Sequence, residues 1–165
     1  MTMSAFFRTF FLAFILGISG PALAQVAVGF GGVAHDANQP VEVTADSLTV
    51  NQSNGNAVFE GNVIVMQGDL RMTAGRIEIV YTTDTGARRV QDVIATGGVL
   101  VTRGADAAEG AEARYAVQTA LLTLSGDVLV TQGPTAIAGD RMLIDMTTGT
   151  GTVDGRVRTV LGGDQ

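Results

Sequence analysis

From Val41 onward, apolar and polar residues change places at every second position over short runs, a period that fits half-buried β-strands rather than helices. The alternation is cleanest in Arg76-Ile77-Glu78-Ile79-Val80-Tyr81, where Ile77, Ile79 and Tyr81 fall on one face and Arg76 and Glu78 on the other. Arg141-Met142-Leu143-Ile144-Asp145-Met146 repeats that layout 65 residues later. Further strands are predicted over residues 41–51, 56–66, 90–102, 113–118 and 120–131. Turns are predicted at Ser53-Asn54-Gly55-Asn56 and Thr83-Asp84-Thr85-Gly86, where glycine and asparagine tolerate the backbone angles that tight turns need. Helix signals are nearly absent. Connections this short join antiparallel neighbours, so the expected fold class is all-β.

An eight-residue string recurs through these strands: GNVIVMQG at 61–68, GGVLVTRG at 97–104 and GDVLVTQG at 126–133, with a degraded copy, GRVRTVLG, at 155–162. The first glycines lie 36, 29 and 29 residues apart, a spacing found in repeat-built architectures. Val63, Val99, Val128 and Val157 fall on one side of the string, and Ile64, Leu100 and Leu129 on the other. Apolarity on both sides fits a strand buried in a filled core and one lining an apolar groove equally well. The glycines are expected to mark bends or bulges where the chain passes between sheet layers. In the fourth copy Arg158 and Thr159 replace aliphatic residues, as expected of a terminal repeat that meets solvent or a neighbouring subunit.

The chain opens with Arg8 ahead of the apolar run 9–18 and with Ala22-Leu23-Ala24, the pattern of an export leader cleaved after Ala24. The apolar run is interrupted by Gly17, Ser19, Gly20 and Pro21, short of the roughly 20 residues that span a bilayer. Residues 25–40 are rich in Gly and Ala and read as a flexible N-terminal arm carrying at most a short strand. The β domain is expected over 41–162, with a tail at 163–165.

The chain has no cysteine, so a domain exported into an oxidising space must be held by strand pairing and apolar burial. Lysine is also absent: ten arginines face 16 carboxylates, for a net charge of −6. That balance argues against nucleic acid, which needs clustered positive charge. His35, the only histidine, lies in the arm, so neither a Ser-His-Asp triad nor a transition-metal site is expected; no metal and no cofactor is predicted. The carboxylates Glu60, Glu78, Asp92, Asp127 and Asp145 fit solvated strand faces better than an acid/base pair. Arg76 and Arg141 hold equivalent repeat positions, which favours a cross-strand structural role over a phosphate contact.

The strings Ala45-Asp46-Ser47-Leu48-Thr49-Val50, Asn56-Ala57-Val58-Phe59-Glu60-Gly61-Asn62-Val63-Ile64-Val65 and Ala74-Gly75-Arg76-Ile77-Glu78-Ile79-Val80-Tyr81 resemble the LptA/OstA-like family of periplasmic lipopolysaccharide-transport proteins. The resemblance covers about residues 41–157, and departs from the family pattern at Ala74-Gly75-Arg76, where Ala-Asp is common. It implies a semi-open antiparallel β-jellyroll whose apolar interior shelters the acyl chains of lipopolysaccharide. It also implies a non-enzymatic periplasmic carrier that stacks head to tail into a homo-oligomeric bridge between inner-membrane and outer-membrane transport components.

The residues expected to line the apolar groove are Leu48, Val50, Phe59, Val63, Val65, Ile77, Ile79, Val99, Val101, Tyr115, Val117, Val128, Val130, Met142 and Ile144. Most would be core residues even without a ligand. Two other readings compete with the carrier: a secreted carbohydrate-active β-solenoid enzyme, and a structural β-repeat module with a filled interior.

Overall fold

The computed structural model describes residues 26–30, 39–82 and 86–162; the leader and its cleavage site, His35, and the tail at 163–165 lie outside them. Every described element is a strand: β1 (Val26–Gly29), β2 (Glu42–Thr44), β3 (Ser47–Val50), β4 (Ala57–Gln67), β5 (Leu70–Thr82), β6 (Arg89–Arg103), β7 (Asp106–Ala116), β8 (Leu121–Gln132), β9 (Thr135–Asp145), β10 (Thr150–Asp154) and β11 (Arg158–Val160). They form one antiparallel sheet in the order β1-β10-β9-β8-β7-β6-β5-β4-β2, with β3 also on β4 and β11 also on β9. The single strand expected over 41–51 is thus two, broken at Ala45-Asp46.

The break has the same cause as the repeated glycines. On β4, β6 and β8 the first two residues of each repeat string, Gly61-Asn62, Gly97-Gly98 and Gly126-Asp127, all have positive φ, and the ladders to both neighbours shift register there. Two residues on these strands oppose one on the next, which is a β-bulge that bends the sheet sharply. Gly155-Arg156, between β10 and β11, repeats the conformation. Each long strand is therefore creased, and its halves belong to two walls. The first wall runs β3, β4, β5, β6, β7, β8, β9, β10, β1; the second runs β2, β4, β5, β6, β7, β8, β9, β11. The result is the jellyroll, with the core between the walls.

Tight approach at the crease explains the composition there. A Cβ on Gly126 would lie 2.6 Å from the Cβ of Ala111, and one on Gly139 would lie 2.5 Å from Cγ1 of Val153. At the two ends the crease is clasped by aspartates. The Asp46 amide donates to the Gly61 carbonyl at 2.9 Å and Asn62 Nδ2 donates to Asp46 Oδ2 at 2.8 Å. At the other end the Asp140 amide donates to the Gly155 carbonyl, and Arg156 Nη2 donates to Asp140 Oδ1 at 2.6 Å.

The outer faces carry cross-strand ion pairs. Arg76 meets Glu60 directly opposite it at 2.5 Å, the structural role expected of that arginine. Arg114 grips the buried Asp92 with two hydrogen bonds, at 3.1 and 2.8 Å. A bidentate grip of this kind satisfies both carboxylate oxygens of a group taken out of water.

Gly126→Ala is expected to destabilise the fold by about 2 kcal/mol or more, combining roughly 1–2 kcal/mol for a left-handed backbone with overlap against Ala111. Adding Ala111→Gly should recover the overlap part alone; thermal melts of both variants check this, and a Gly126→Ala protein as stable as the parent would contradict the crease. The Arg156 guanidinium, chiefly through its hydrogen bond, holds the Asp140 carboxyl below its ordinary value against slight desolvation. A depressed carboxyl stabilises the fold above its unfolded pKa, and the contribution disappears as pH falls through the folded value. Carbon-13 NMR titration should show Asp140 returning toward the ordinary range in Arg156→Ala, with its acid-side contribution gone; an unchanged titration would contradict the clasp.

Candidate functional site

Side chains directly opposite one another in an antiparallel ladder share a face, so the register defines rows that cross the whole wall. On the first wall one inward row runs Leu48, Phe59, Ile77, Ala95, Ala113, Leu124, Met142, Val153, and the next runs Val50, Ala57, Ile79, Val93, Tyr115, Leu122, Ile144, Gly151. On the second wall the facing row runs Val43, Val65, Met72, Val101, Ala108, Val130, Ile137. The first row is apolar throughout; the second adds Gly151 and the Tyr115 phenol, and the row on the second wall is apolar up to Thr159 of β11, which pairs with Ile137. Eight strands at about 4.8 Å give the first row a length of roughly 34 Å.

Of the residues expected to line a groove, Val63, Val65, Ile77, Ile79, Val99, Val101, Tyr115, Val128, Val130, Met142 and Ile144 are buried between the walls. Phe59 and Val117 are partly buried against them. Leu48 and Val50 differ: they occupy the inward rows, but β3 is the last strand of its wall, and they stand 55% and 52% exposed. Val117 lies in the turn after β7, its amide bonded to the Gln91 carbonyl.

The alternation missed Leu70, Met72, Ala108 and Ile137, all buried. They precede the crease on strands that contribute one residue fewer to the bulge, so the inward phase slips there: Ile77 and Ile79 point in with Ala74 and Met72, not with Gly75 and Thr73. Phe30, in the segment read as an arm, is also fully buried.

The walls meet closely. Val65, Leu70 and Met72 from one, Val93 and Tyr115 from the other, and Val41 and Gln67 at the rim enclose an apolar cavity of about 10 Å³, the space of about one water-sized sphere. Burial pushes the Tyr115 phenol above its ordinary pKa.

The rim is polar. Gln67, Arg103 and Gln132, one residue before the closing glycine of their repeat strings, turn inward at the hairpin ends. Gln67 Nε2 donates to the Gln39 carbonyl at 2.9 Å, Arg103 Nε to Asp69 Oδ2 at 2.9 Å, and Gln132 Nε2 to Asp106 Oδ2 at 3.0 Å and to the Gly29 carbonyl. Arg103 is fully buried, so its charge is matched where it lies. The equivalent place of these three residues in the repeat strings is the sequence signal that marks them.

Among the described residues no group of three or more His, Cys, Asp or Glu is placed to hold a metal ion. The arrangement is suited to holding something apolar between two walls.

Known proteins resemble this chain in sequence or in fold. A protein of Rhizobium meliloti (strain 1021) with no assigned role is 26% identical over 154 residues, covering 87% of this chain and 83% of its own. The LPS-assembly protein LptD of Yersinia enterocolitica is 44% identical over 69 residues, which are 41% of this chain and 9% of that protein. The crystal structure of LptH, the LptA-homologous periplasmic component of the lipopolysaccharide transport device of Pseudomonas aeruginosa, superposes with a TM-score of 0.69 at 20% identity, over 78% of this chain and 99% of that one. The family model for LptA and the LptD N-terminal domain, described as LPS transport proteins, matches residues 42–150, and this chain belongs to that family.

Proposed function

We propose that the chain is a periplasmic carrier that shelters the acyl chains of lipopolysaccharide between its two walls and passes them along a bridge of stacked copies. The carrying observation is the pair of inward rows that cross the first wall, the first of them apolar throughout, and reach exposed ends at Leu48 and Val50. Each methylene removed from water contributes ~0.8 kcal/mol, so a chain of a dozen carbons gains about 10 kcal/mol of shelter. Because the enclosed space is only about 10 Å³, the walls must part to admit such a chain. The glycine crease is the place where they can hinge.

Stacking follows from the edges. On one side the walls end at β3 and β2; on the other the second wall ends at β11 and the first at β1, which lies over β10, and β10 and β11 run antiparallel to the β3 and β2 of a copy placed by translation. Unpaired edges seek partners. The inner-membrane and outer-membrane transport components would meet the two ends of such a stack.

A structural module with a filled interior is the competing reading, favoured by the small cavity. The carbohydrate-active β-solenoid is not supported, because a solenoid stacks parallel coils and every ladder here is antiparallel.

A photo-crosslinker at Val65 or Ile144 is expected to capture lipopolysaccharide, while one at Leu143, on the outer face beside Ile144, should not. Equal capture at all three positions, or none at the inward pair, would favour the filled module. Light scattering should show oligomers that grow with concentration, and strict monomers at high concentration would contradict the stacked bridge.

A further inference from the structure

The first wall has one strand too many. Among the described residues it holds nine strand positions and the second wall eight, because β1 covers β10 and no described strand lies beyond β11. A second copy would offer β2 and β3, consecutive strands joined at the Ala45-Asp46 crease, so both can add only to edges that are flush. With β1 in place they are not.

β1 also sits where β3 of that second copy belongs. Val26 pairs with Val153 and Val28 with Gly151. Val153 lies in the row of Leu48, and Gly151 in the row of Val50. Moving from Val26 to Val28 follows the rows in the same direction as moving from Leu48 to Val50, so both strands run antiparallel to β10. A β3 strand laid on the outer edge of β1 instead would be parallel to it and would break the antiparallel order.

The crease continues the same pattern. Strands bearing a Gly-x pair at positive φ alternate with partners bearing Ala45-Asp46, Ala74-Gly75, Gly110-Ala111 or Gly139-Asp140. Gly155-Arg156 is the last Gly-x pair, and the partner missing on its far side is an Ala45-Asp46 crease. Arg156 is 83% exposed and stands ready for a second carboxylate.

We propose that β1, latched by Phe30, is an internal stand-in for β3 of a second copy, which it excludes from β10 until it is displaced. This rests on the stacked-bridge reading and adds to it a self-cap that holds single copies apart. The latch is local. Phe30 is fully buried, its amide donates to the Gly149 carbonyl at 2.6 Å, and Gln132 holds the Gly29 carbonyl from the opposite wall. The incoming edge brings two exposed aliphatic side chains, Leu48 and Val50, whose burial on the interior drives the exchange.

Hydrogen exchange on the purified protein over a concentration series tests this. As oligomers form, the amides of Val26–Gly29 should lose protection while those of Ser47–Val50 gain it. In Phe30→Asp, half-assembly should need at least tenfold less protein, again with Ser47–Val50 protected. Oligomers in which Val26–Gly29 stay protected, whether by addition elsewhere or by exchange of β1 between chains, would overturn the self-cap and leave stacking intact. Failure of both the parent protein and Phe30→Asp to assemble would overturn the self-cap together with the stacking on which it rests.

Discussion

The structure depends on a backbone constraint: on every second strand, two consecutive residues are held at positive φ in the middle of an antiparallel sheet. Ordinary L-residues resist that conformation, glycine does not, and asparagine and aspartate resist it least among the rest. Gly61-Asn62, Gly97-Gly98 and Gly126-Asp127 use these residue types in turn, and only Arg156 in the terminal corner departs from them. The bulges they form stack along one line and crease the sheet into two walls. Without the crease the apolar rows would face water, and the two halves of each long strand would have nothing to bury against.

That constraint also decides how far the fold can be read from sequence. The valines of the repeated string are legible because both members of the bulge lie on their own strand, so Phe59, Val63 and Val65 keep one phase across Gly61-Asn62. On the neighbouring strands the bulge belongs to the partner and the phase slips by one at Gly75, Gly110 and Gly139. Met72, Ala108 and Ile137 are therefore hidden from an alternation carried through from the cleaner half of each strand. The two faces of a strand follow from its own residues, but a phase slip imposed by its neighbour does not. The break at Ala45-Asp46 is hidden for the same reason: it answers Gly61-Asn62 across the ladder.

Position at the edge is likewise invisible to periodicity. Leu48 and Val50 carry the same alternation as Ile77 and Ile79 and point to the same face, yet the former are half exposed because no strand follows theirs. Val26-Ala27-Val28 gives a short strand signal that says nothing of its partner, which lies at the other end of the chain. These two edge strands hold equivalent places at opposite ends of one wall. A carrier built from a single apolar track needs its ends continuous with the next copy and closed when no copy is there. In the proposed bridge the same rows of residues would serve both needs.

The central claim is that the walls part about the glycine crease to take acyl chains between them. The chain has no cysteine, so two introduced ones can be spin-labelled without interference. Labels at Leu143 and Thr131, exposed on the outer faces of the first and second wall, report the separation of the walls directly. Pulsed electron paramagnetic resonance should show that distance lengthening when lipopolysaccharide is added, and staying fixed with a soluble polysaccharide that lacks acyl chains. A distance distribution unchanged by bound lipopolysaccharide would contradict the account.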